Sequence, residues 1–284
     1  MDRTRLTITL KKSILSAVDN SIDGTKIRNR SHAIETLISR SLQPKVNTCL
    51  VLAGGRGVNM RPFTFEMPKA LLPVGGKPIL EHLLELLVCY NVRNLIFSVG
   101  HLGERIEQHF GNGEKYGVKI TYVREKEALG TAGALVFAKK FLKDTSFLVV
   151  HGDILIDINL NDFIAFHEEN SSLATIAVTS VLDPSNYGEI TLHGTRIKHF
   201  IEKPAKGKQK TQLISSGVYL FNRGIFDYLP AKGKAQLEDV FPKLAKNNVL
   251  LGFPFEGAFF DIGTPQSYEK AIKKWSGFKK ASAV

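Results

Sequence analysis

The most informative stretch of the sequence is residues 52–69, Leu52-Ala53-Gly54-Gly55-Arg56-Gly57-Val58-Asn59-Met60-Arg61-Pro62-Phe63-Thr64-Phe65-Glu66-Met67-Pro68-Lys69. The apolar run 49–52 is continuous rather than alternating, which is typical of a strand buried on both faces. The three glycines after it let the backbone turn sharply and approach a ligand closely. Consecutive backbone amides in such a loop form a concave site for anionic oxygen, and Lys69 adds a full positive charge. The stretch predicts a buried strand and a phosphate-binding loop, with a glycine turn of no chemical meaning as the alternative.

The composition is that of a globular protein. The 284 residues are 43% hydrophobic and 23% charged, enough for one large or two modest domains. No apolar run reaches the roughly 18 residues of a membrane span, and the N-terminus lacks the apolar segment of a secretory signal. Cys49 and Cys89 lie in apolar runs and are interpreted as core fillers in a reducing compartment. We therefore expect a cytoplasmic protein with no membrane partner.

The first residues differ from the rest in charge and pattern. Residues 1–45 hold nine Lys or Arg against four Asp or Glu, a net charge of +5 out of +11 for the whole chain. Residues 5–10 alternate strictly and predict a strand. Its apolar face is Leu6, Ile8 and Leu10. A unit this small cannot bury its own strand edge, which favours pairing with a second copy.

Two helices are predicted after this strand. Ser13 is predicted to cap the first helix, which ends near Asn20, and Ser31 is predicted to cap the second. The inward face of the second helix is predicted to hold Ala33, Ile34, Leu37 and Ile38.

This strand–helix–helix layout resembles the ribbon-helix-helix DNA-binding domain, in which two chains pair their strands into a ribbon that enters the major groove. The resemblance covers residues 3–42. It implies a homodimer with a base-reading face on double-stranded DNA, and a phosphate clamp at the start of the second helix. The implied base-reading residues are Arg5, Thr7 and Thr9, and the implied clamp residues are Arg30 and Ser31. A segment that only dimerises or packs is the alternative.

From residue 47 onward, strand-like and helical segments alternate, which is the pattern of an α/β fold with a doubly wound, mostly parallel sheet. The predicted strands are 95–99, 118–123 and 147–150, and the predicted helices are 104–110 and 130–142. Ligands of such sheets bind at the carboxyl ends of the strands. With Gln43-Pro44-Lys45 as the linker, we predict two domains, residues 1–44 and 46–284.

The string around the glycines resembles the signature of the sugar-1-phosphate nucleotidyltransferases, Leu-Ala-Gly-Gly-x-Gly-Thr-Arg-Leu-x-Pro-Leu-Thr followed by Pro-Lys. It looks closest to the mannose- or heptose-1-phosphate guanylyltransferases. Val58-Asn59-Met60 stands in place of the family's Thr-Arg-Leu, so an asparagine replaces the arginine that meets the triphosphate. The resemblance implies a Rossmann-like nucleotidyltransferase fold and Lys69 as a catalytic residue. The implied nucleotide-binding residues of the loop are Leu52, Ala53, Gly54, Gly55, Arg56, Gly57 and Asn59.

Residues 125–133, Glu-Lys-Glu-Ala-Leu-Gly-Thr-Ala-Gly, resemble the base-binding loop of the same family. By resemblance, Gly130 and Thr131 lie along the nucleoside and Glu125 meets the base edge. A carboxylate only accepts hydrogen bonds, so it suits guanine, whose N1–H and N2–H are adjacent donors. This favours GTP; the alternative is that Glu125 is one exposed charge in a charged run.

Two aspartates fall inside strings that resemble the family. His151-Gly152-Asp153 closes a predicted buried strand, and Asp261 lies in the string Phe260–Pro265. Tyr268 follows three residues after Pro265, which is also the spacing of the family. Lone aspartates at strand ends are usually caps or turn formers. The resemblance instead implies that Asp153 and Asp261 are catalytic and bind Mg²⁺, which would keep coordination sites open for water and phosphate oxygens.

The implied sugar-phosphate side is carried by Tyr187-Gly188, Glu202-Lys203-Pro204 and residues 215–219. By resemblance, Glu202 accepts hydrogen bonds from sugar hydroxyls, and Lys203 neutralises the sugar phosphate as a catalytic residue. Gly188 lets the backbone approach the sugar ring. Ser216 stands where the family usually has Asn.

These parts fit the transfer of a nucleoside monophosphate from a nucleoside triphosphate to a sugar 1-phosphate, with release of pyrophosphate. The nucleophile is already an anion, so alignment and charge neutralisation suffice and no general base is required. A DNA-binding regulator whose transferase-like domain senses nucleotide or sugar phosphate is the competing hypothesis, and Asn59 favours it. A dinucleotide-binding dehydrogenase fits poorly, because residues 54–57 lack the later glycine of that fingerprint.

Overall fold

A computed structural model describes residues 7–24, 27–42 and 46–278. These residues fall into two compact units, the first ending before Val46 and the second beginning there. The predicted linker, residues 43–45, lies outside the described residues, as do Arg5 and Leu6 of the predicted strand.

The N-terminal unit contains the two predicted helices, α1 (Lys12–Asn20) and α2 (Arg30–Leu42). The predicted caps are wrong, because Ser13 and Ser31 both lie inside the helices. Asn29 takes the capping role on α2, since its side-chain oxygen accepts a hydrogen bond from the third amide of the helix at 2.9 Å.

The apolar face of this unit is only partly covered within one chain. Residues 7–10 form no strand with any other described part of the chain, so the strand remains a prediction that needs a second chain. Ala33 is buried, but Leu37 and Ile38 are 42% and 46% exposed, so their predicted inward position is wrong for a single chain. Ile8 is also 45% exposed.

The larger unit consists of strands with helices between them. Its strands are β1 (Thr48–Ala53), β2 (Pro73–Val74), β3 (Lys77–Pro78), β4 (Asn94–Val99), β5 (Lys119–Arg124), β6 (Ser146–His151), β7 (Ile154–Ile156), β8 (Ala174–Ser180), β9 (Gly188–His193), β10 (Arg196–Glu202), β11 (Leu213–Asn222), β12 (Leu250–Pro254) and β13 (Phe259–Asp261). Its helices are α3 (Ile79–Cys89), α4 (Gly103–Phe110), α5 (Gly130–Ala138), α6 (Leu160–Glu169), α7 (Leu237–Lys246) and α8 (Pro265–Lys274).

Nine of these strands form one sheet in the order β5-β4-β1-β6-β11-β8-β12-β10-β9. The side from β5 to β6 is wholly parallel, as predicted. Beyond β6 the sheet is mixed, because β11 runs antiparallel to both β6 and β8, and β10 runs antiparallel to β12 and β9. The α/β fold is confirmed. The predicted helix over 130–142 is shorter and ends at Ala138.

The continuous apolar strands lie between two helical layers and form the core. Leu50 of β1 and Phe147 of β6 are fully buried, as the absence of alternation predicted. Cys49 is buried, and burial raises the pKa of its thiol. Cys89, at the end of α3, is exposed, so its interpretation as a core filler is wrong.

A separate two-stranded ribbon, β7 with β13, lies directly after the end of β6. It is antiparallel and places Asp261 opposite Ile154. Helix α8 follows it and begins with a reciprocal cap between Thr264 and Ser267. No helix in the described part of the chain is long and apolar enough to cross a membrane.

Candidate active site

The site lies where β1, β4 and β6 end along the same edge of the sheet. The loop after β1 and the loop after β4 touch, because a Cβ added to Gly100 would lie 2.6 Å from the carbonyl oxygen of Gly54. In the parallel register, Leu52 of β1 lies beside His151 of β6. The edge therefore brings the glycine loop next to the string that carries Asp153.

The first cavity, of about 210 Å³, lies over this edge. It is lined by Leu52, Gly54, Gly55, Glu125, Ala128, Gly130, Thr131, Ala134, His151, Asp153 and Gln236. Six of the residues predicted for the nucleotide and Asp153 of the predicted metal pair thus share one cavity.

Glu125 is a fixed member of this cavity rather than a free surface charge. The hydroxyl of Ser98 donates to Glu125 Oε1 at 2.8 Å, and the amide of Leu129 donates to Oε2 at 3.0 Å. A Cβ added to Gly54 would lie 2.6 Å from Oε1, so a larger residue at position 54 would displace the carboxylate. A carboxylate has about four acceptor positions, so two remain for a ligand.

The predicted residue Thr131 is held by a distant part of the chain. Its hydroxyl lies 2.8 Å from Glu238 Oε2, and it accepts a hydrogen bond from the amide of Leu237 at 2.7 Å. Its own amide donates to Gln236 Oε1 at 3.1 Å. Gly130 is required at the same contact, since its φ is +75° and a Cβ would lie 2.5 Å from the carbonyl oxygen of Ala235.

The predicted metal pair and Lys69 form one half-buried charge cluster. The amide of Ile262 donates to the carbonyl oxygen of Asp153 at 3.1 Å, which sets Asp261 beside Asp153. Burial opposes the ionisation of Asp153, but an ion pair with Lys69 outweighs it and lowers the pKa of Asp153. Burial, and then the charge of Asp153, raises the pKa of Asp261 to about 6. Burial also opposes the charge of Lys69, yet the two carboxylates raise its pKa.

This donor set suits a hard divalent cation. Two carboxylates are a common protein contribution to such a site, where water and substrate phosphates supply the other ligands. No group of three or more His, Cys, Asp or Glu residues able to hold a metal occurs in the described ranges. A cation bound by Asp153 and Asp261 would therefore keep coordination sites open.

A second cavity, also of about 210 Å³, adjoins the first. It is lined by His151, Ile154, Asn186, Tyr187, Gly188, Phe200, Glu202, Lys203, Ser215, Ser216, Gly217, Tyr219, Glu238, Phe259 and Asp261. All four residues predicted for the sugar phosphate lie here. Asp261 lines this cavity while Asp153 lines the first, so the acidic pair belongs to both.

Within the second cavity, Glu202 and Lys203 are adjacent charges with side chains 38% and 66% exposed. Burial raises the pKa of Glu202, and the nearby Glu238 adds to that effect. The amide of Lys203 donates to the carbonyl oxygen of Tyr187 at 3.0 Å, and its φ of +45° is in the left-handed region. The backbone conformation therefore fixes the position of the Lys203 Cα, from which the side chain extends.

Gly188 and Ser216 both line the second cavity and also make contacts within the protein. A Cβ on Gly188 would lie 2.3 Å from the ring of Phe200, so this glycine is required by packing against an aromatic ring of the protein. The hydroxyl of Ser216 donates to the carbonyl oxygen of Ala177 at 2.8 Å. The single hydroxyl proton of Ser216 is therefore engaged in a hydrogen bond within the sheet.

Some predicted loop residues lie outside both cavities, namely Ala53, Arg56, Gly57 and Asn59. Arg56 and Asn59 are exposed. Gly57 has φ +60°, and its carbonyl oxygen accepts a hydrogen bond from the hydroxyl of Thr64 at 2.7 Å, which closes the loop on itself. The guanidinium of Arg61 lies 5.0 Å from the ring centre of Phe65.

The residues predicted to contact DNA are placed in part. Thr7, Thr9 and Ser31 are exposed. Arg30 is also exposed, but its guanidinium makes two hydrogen bonds to Asp19, of 2.6 and 2.8 Å. This ion pair joins α2 to α1 and engages the side chain predicted to contact phosphate.

The sequence assigns no role to several residues that line the two cavities, among them the polar residues His151, Tyr219, Gln236 and Glu238. His151 and Tyr219 lie inside strings that resemble the family, but the resemblance implies roles only for their neighbours Asp153 and Ser216. Gln236 and Glu238 lie in a segment with no recognised pattern. Their position follows from contacts with Thr131, which the sequence does not reveal.

Comparisons with known proteins agree with this geometry. The model of the family described as Nucleotidyl transferase matches residues 48–276. A mannose-1-phosphate guanyltransferase of Yarrowia lipolytica is 36% identical over 224 residues, which are 77% of this chain and 61% of the relative. The mannose-1-phosphate guanylyltransferase catalytic subunit beta of Danio rerio is 34% identical over 224 residues, covering 77% and 62%. The chain thus spans about three fifths of the length of these relatives.

Solved structures give the same fold. HddC from Yersinia pseudotuberculosis, complexed with GMP-PN, is 29% identical with a TM-score of 0.69, covering 81% of this chain and 99% of the other. A UDP-glucose pyrophosphorylase complexed with UDP-glucose, 22% identical with a TM-score of 0.71 over 80% and 97% of the two chains, supports the fold alone. The extent of the family match, together with the acidic pair and the glycine loop at one sheet edge, shows that this chain belongs to the nucleotidyl transferase family.

Proposed function

We propose that the chain transfers a guanylyl group from GTP to a hexose or heptose 1-phosphate and releases pyrophosphate, with Mg²⁺ as cofactor. The observation that carries this proposal is the acidic pair, because Asp153 lines one cavity and Asp261 the adjoining one. Two substrates whose phosphates meet at that pair would occupy the two cavities.

The residues of the first cavity would bind the nucleotide. The backbone at Gly54 and Gly55 would approach the phosphates closely. Lys69 lines neither cavity, but its ion pair with Asp153 would place a positive charge next to the first one. Glu125, fixed by two donors, would accept hydrogen bonds from N1–H and N2–H of guanine. Relatives named as mannose-1-phosphate guanyltransferases support this choice of base.

The residues of the second cavity would hold the acceptor. Glu202 would accept hydrogen bonds from sugar hydroxyls, and Lys203 would neutralise the phosphate. The phosphate oxygen attacks the α-phosphorus and pyrophosphate leaves, so the protein aligns two anions rather than removing a proton. Mg²⁺, when bound by Asp153 and Asp261, would neutralise charge on both phosphates.

Pyrophosphate release across four nucleoside triphosphates and a panel of sugar 1-phosphates tests the proposal. We expect release with GTP and a hexose or heptose 1-phosphate, and its loss when Mg²⁺ is chelated. Complete inactivity across the panel would favour the competing hypothesis, in which the domain senses a nucleotide or a sugar phosphate without turnover.

We also propose that residues 1–44 form a homodimer that binds double-stranded DNA. The support is the partly exposed apolar face, including Ile8, Leu37 and Ile38, and the net charge of +5 over residues 1–45. A second copy would cover that face. It would also set Thr7 and Thr9 on a twofold ribbon.

Deletion of residues 1–44 should convert a dimer into monomer, as measured by light scattering. Fluorescence anisotropy with duplex DNA should show affinity that falls with salt, by a slope of about −0.9 for each phosphate contact. Arg5→Ala should reduce discrimination between DNA sequences, whereas Arg30→Ala should weaken all sequences alike. A dimer with no duplex binding at low salt would leave the segment as an assembly device only.

A further inference from the structure

His151 lies at the junction of the two cavities and lines both of them. It is the last residue of β6 and stands beside Leu52 of β1. On its other side, the ring of Tyr219 lies 5.7 Å away at an angle of 70°. A Cβ on Gly217 would lie 3.1 Å from the imidazole Cγ, and φ of +77° favours glycine at this position. The neighbouring strands therefore fix the imidazole.

One imidazole nitrogen has no partner in the described part of the chain. Nε2 of His151 is buried and accepts or donates no hydrogen bond there. A buried polar atom without a partner forfeits its hydration without compensation, which is uncommon in folded proteins. The same holds for His167 Nε2 and Glu189 Oε2, but neither residue lines either cavity. His151 is therefore the one of these three whose missing partner can be a ligand.

The surrounding charges indicate which ligand group suits this nitrogen. The carboxylates of Glu202, Glu238 and Asp261 line the second cavity, and they can only accept from sugar hydroxyls while ionised. The groups that would pass from one cavity to the other in the proposed reaction are phosphates, which need donors. An imidazole that carries a proton on Nε2 supplies one donor at that point.

We propose that Nε2–H of His151 donates a hydrogen bond to a phosphoryl oxygen of the sugar 1-phosphate, which makes His151 a substrate-binding residue of the acceptor. This inference rests on the proposed function and deepens it. The bond would hold the acceptor phosphate at the boundary of the cavities, where it faces the nucleotide.

The test compares His151→Leu, which removes the donor, with His151→Gln, which restores an amide N–H. Mannose 1-phosphate is titrated by calorimetry into full-length protein saturated with Mg²⁺ and a GTP analogue carrying a methylene between the α- and β-phosphorus. We expect His151→Leu to bind the sugar 1-phosphate about 10- to 150-fold more weakly, the range for one hydrogen bond to a charged group. His151→Gln should recover most of that loss, and the affinity for the analogue should change less than about twofold in both.

His167→Leu is the matched control, because it removes another buried histidine with an unpartnered Nε2 outside the cavities. It should leave mannose 1-phosphate binding unchanged, with thermal melting of all variants reporting any loss of fold.

If the wild-type protein binds mannose 1-phosphate and His151→Leu binds it equally well, the inference is overturned and the proposed function stands. If His151→Gln is no better than His151→Leu, the imidazole acts by shape and the inference is also overturned. A wild-type protein that binds no sugar 1-phosphate of the panel would instead contradict the proposed function.

Discussion

Replacing Glu125 by Gln should change which nucleotide the protein prefers. The side chain can be accommodated, because its oxygen can still accept from the amide of Leu129 and its NH₂ can donate to the hydroxyl of Ser98. The fold should therefore persist while the negative charge is lost. At the base edge, the amide would present at most one acceptor to the two donors of guanine.

The expected cost is that of one hydrogen bond to a charged group, about 1.5–3 kcal/mol. At about 1.4 kcal/mol for each factor of ten, kcat/KM for GTP should fall by roughly 10- to 150-fold. Uracil and thymine offer a donor and an acceptor, which an amide can match, so kcat/KM for UTP should fall less or rise.

The assay is pyrophosphate release with GTP, ATP, UTP and CTP at a fixed sugar 1-phosphate concentration. Glu127→Gln is the matched control, because Glu127 is exposed in the same loop and lies outside the nucleotide cavity. It should keep the wild-type preference. An unchanged order of preference in Glu125→Gln would refute the assignment of this carboxylate to the base edge.

Further substitutions test the metal pair, the glycine loop and the buried His167. Asp153→Asn and Asp261→Asn should each lower turnover by at least about 10²-fold, while circular dichroism should show that the fold is retained. Wild-type rates in both variants would show that the metal assignment is wrong. Asn59→Arg should raise turnover about tenfold, the effect of roughly 1.4 kcal/mol on the barrier, since residue 59 is an exposed residue of the loop. A lower rate would mean that the loop requires asparagine at this position. Burial lowers the pKa of His167 to about 4 from 6.5. The unfolded chain therefore binds the proton first, and the free energy of unfolding should fall on acidification from about pH 6.5 towards 4, by on the order of 3 kcal/mol. Urea titrations of His167→Gln should show a shallower pH dependence, and an identical dependence would contradict the assignment.

The sequence predicts the parallel half of the fold well, because buried strands leave continuous apolar runs such as residues 147–150. It predicts the antiparallel half poorly. The neighbours of β11 in the sheet are β6 and β8, and these pairings depend on contacts between distant segments. The exposure of Cys89 at the end of an apolar helix has a related cause, since the face that a helix buries is set by the sheet beneath it.

The candidate site shows the same division. Motifs predict Asp153 and Asp261, but the ribbon of β7 and β13 is what brings them together. Gln236 could not be predicted, because its contact with Thr131 joins segments more than 100 residues apart in the sequence. The motif predicts Ser216 at the ligand, and it lines the second cavity, but the hydrogen bond from its hydroxyl to the sheet backbone cannot be predicted from the motif.

The two cavities are proposed to hold the two reactants of a guanylyl transfer. Phosphorus NMR of the full-length protein with GTP, Mg²⁺ and mannose 1-phosphate tests this assignment, because it resolves every phosphorus-containing product. We expect a nucleoside diphosphate sugar and pyrophosphate to appear in equal amounts while GTP and mannose 1-phosphate disappear together. Hydrolysis of GTP with mannose 1-phosphate left intact, or no reaction with any sugar 1-phosphate of the panel, would contradict it.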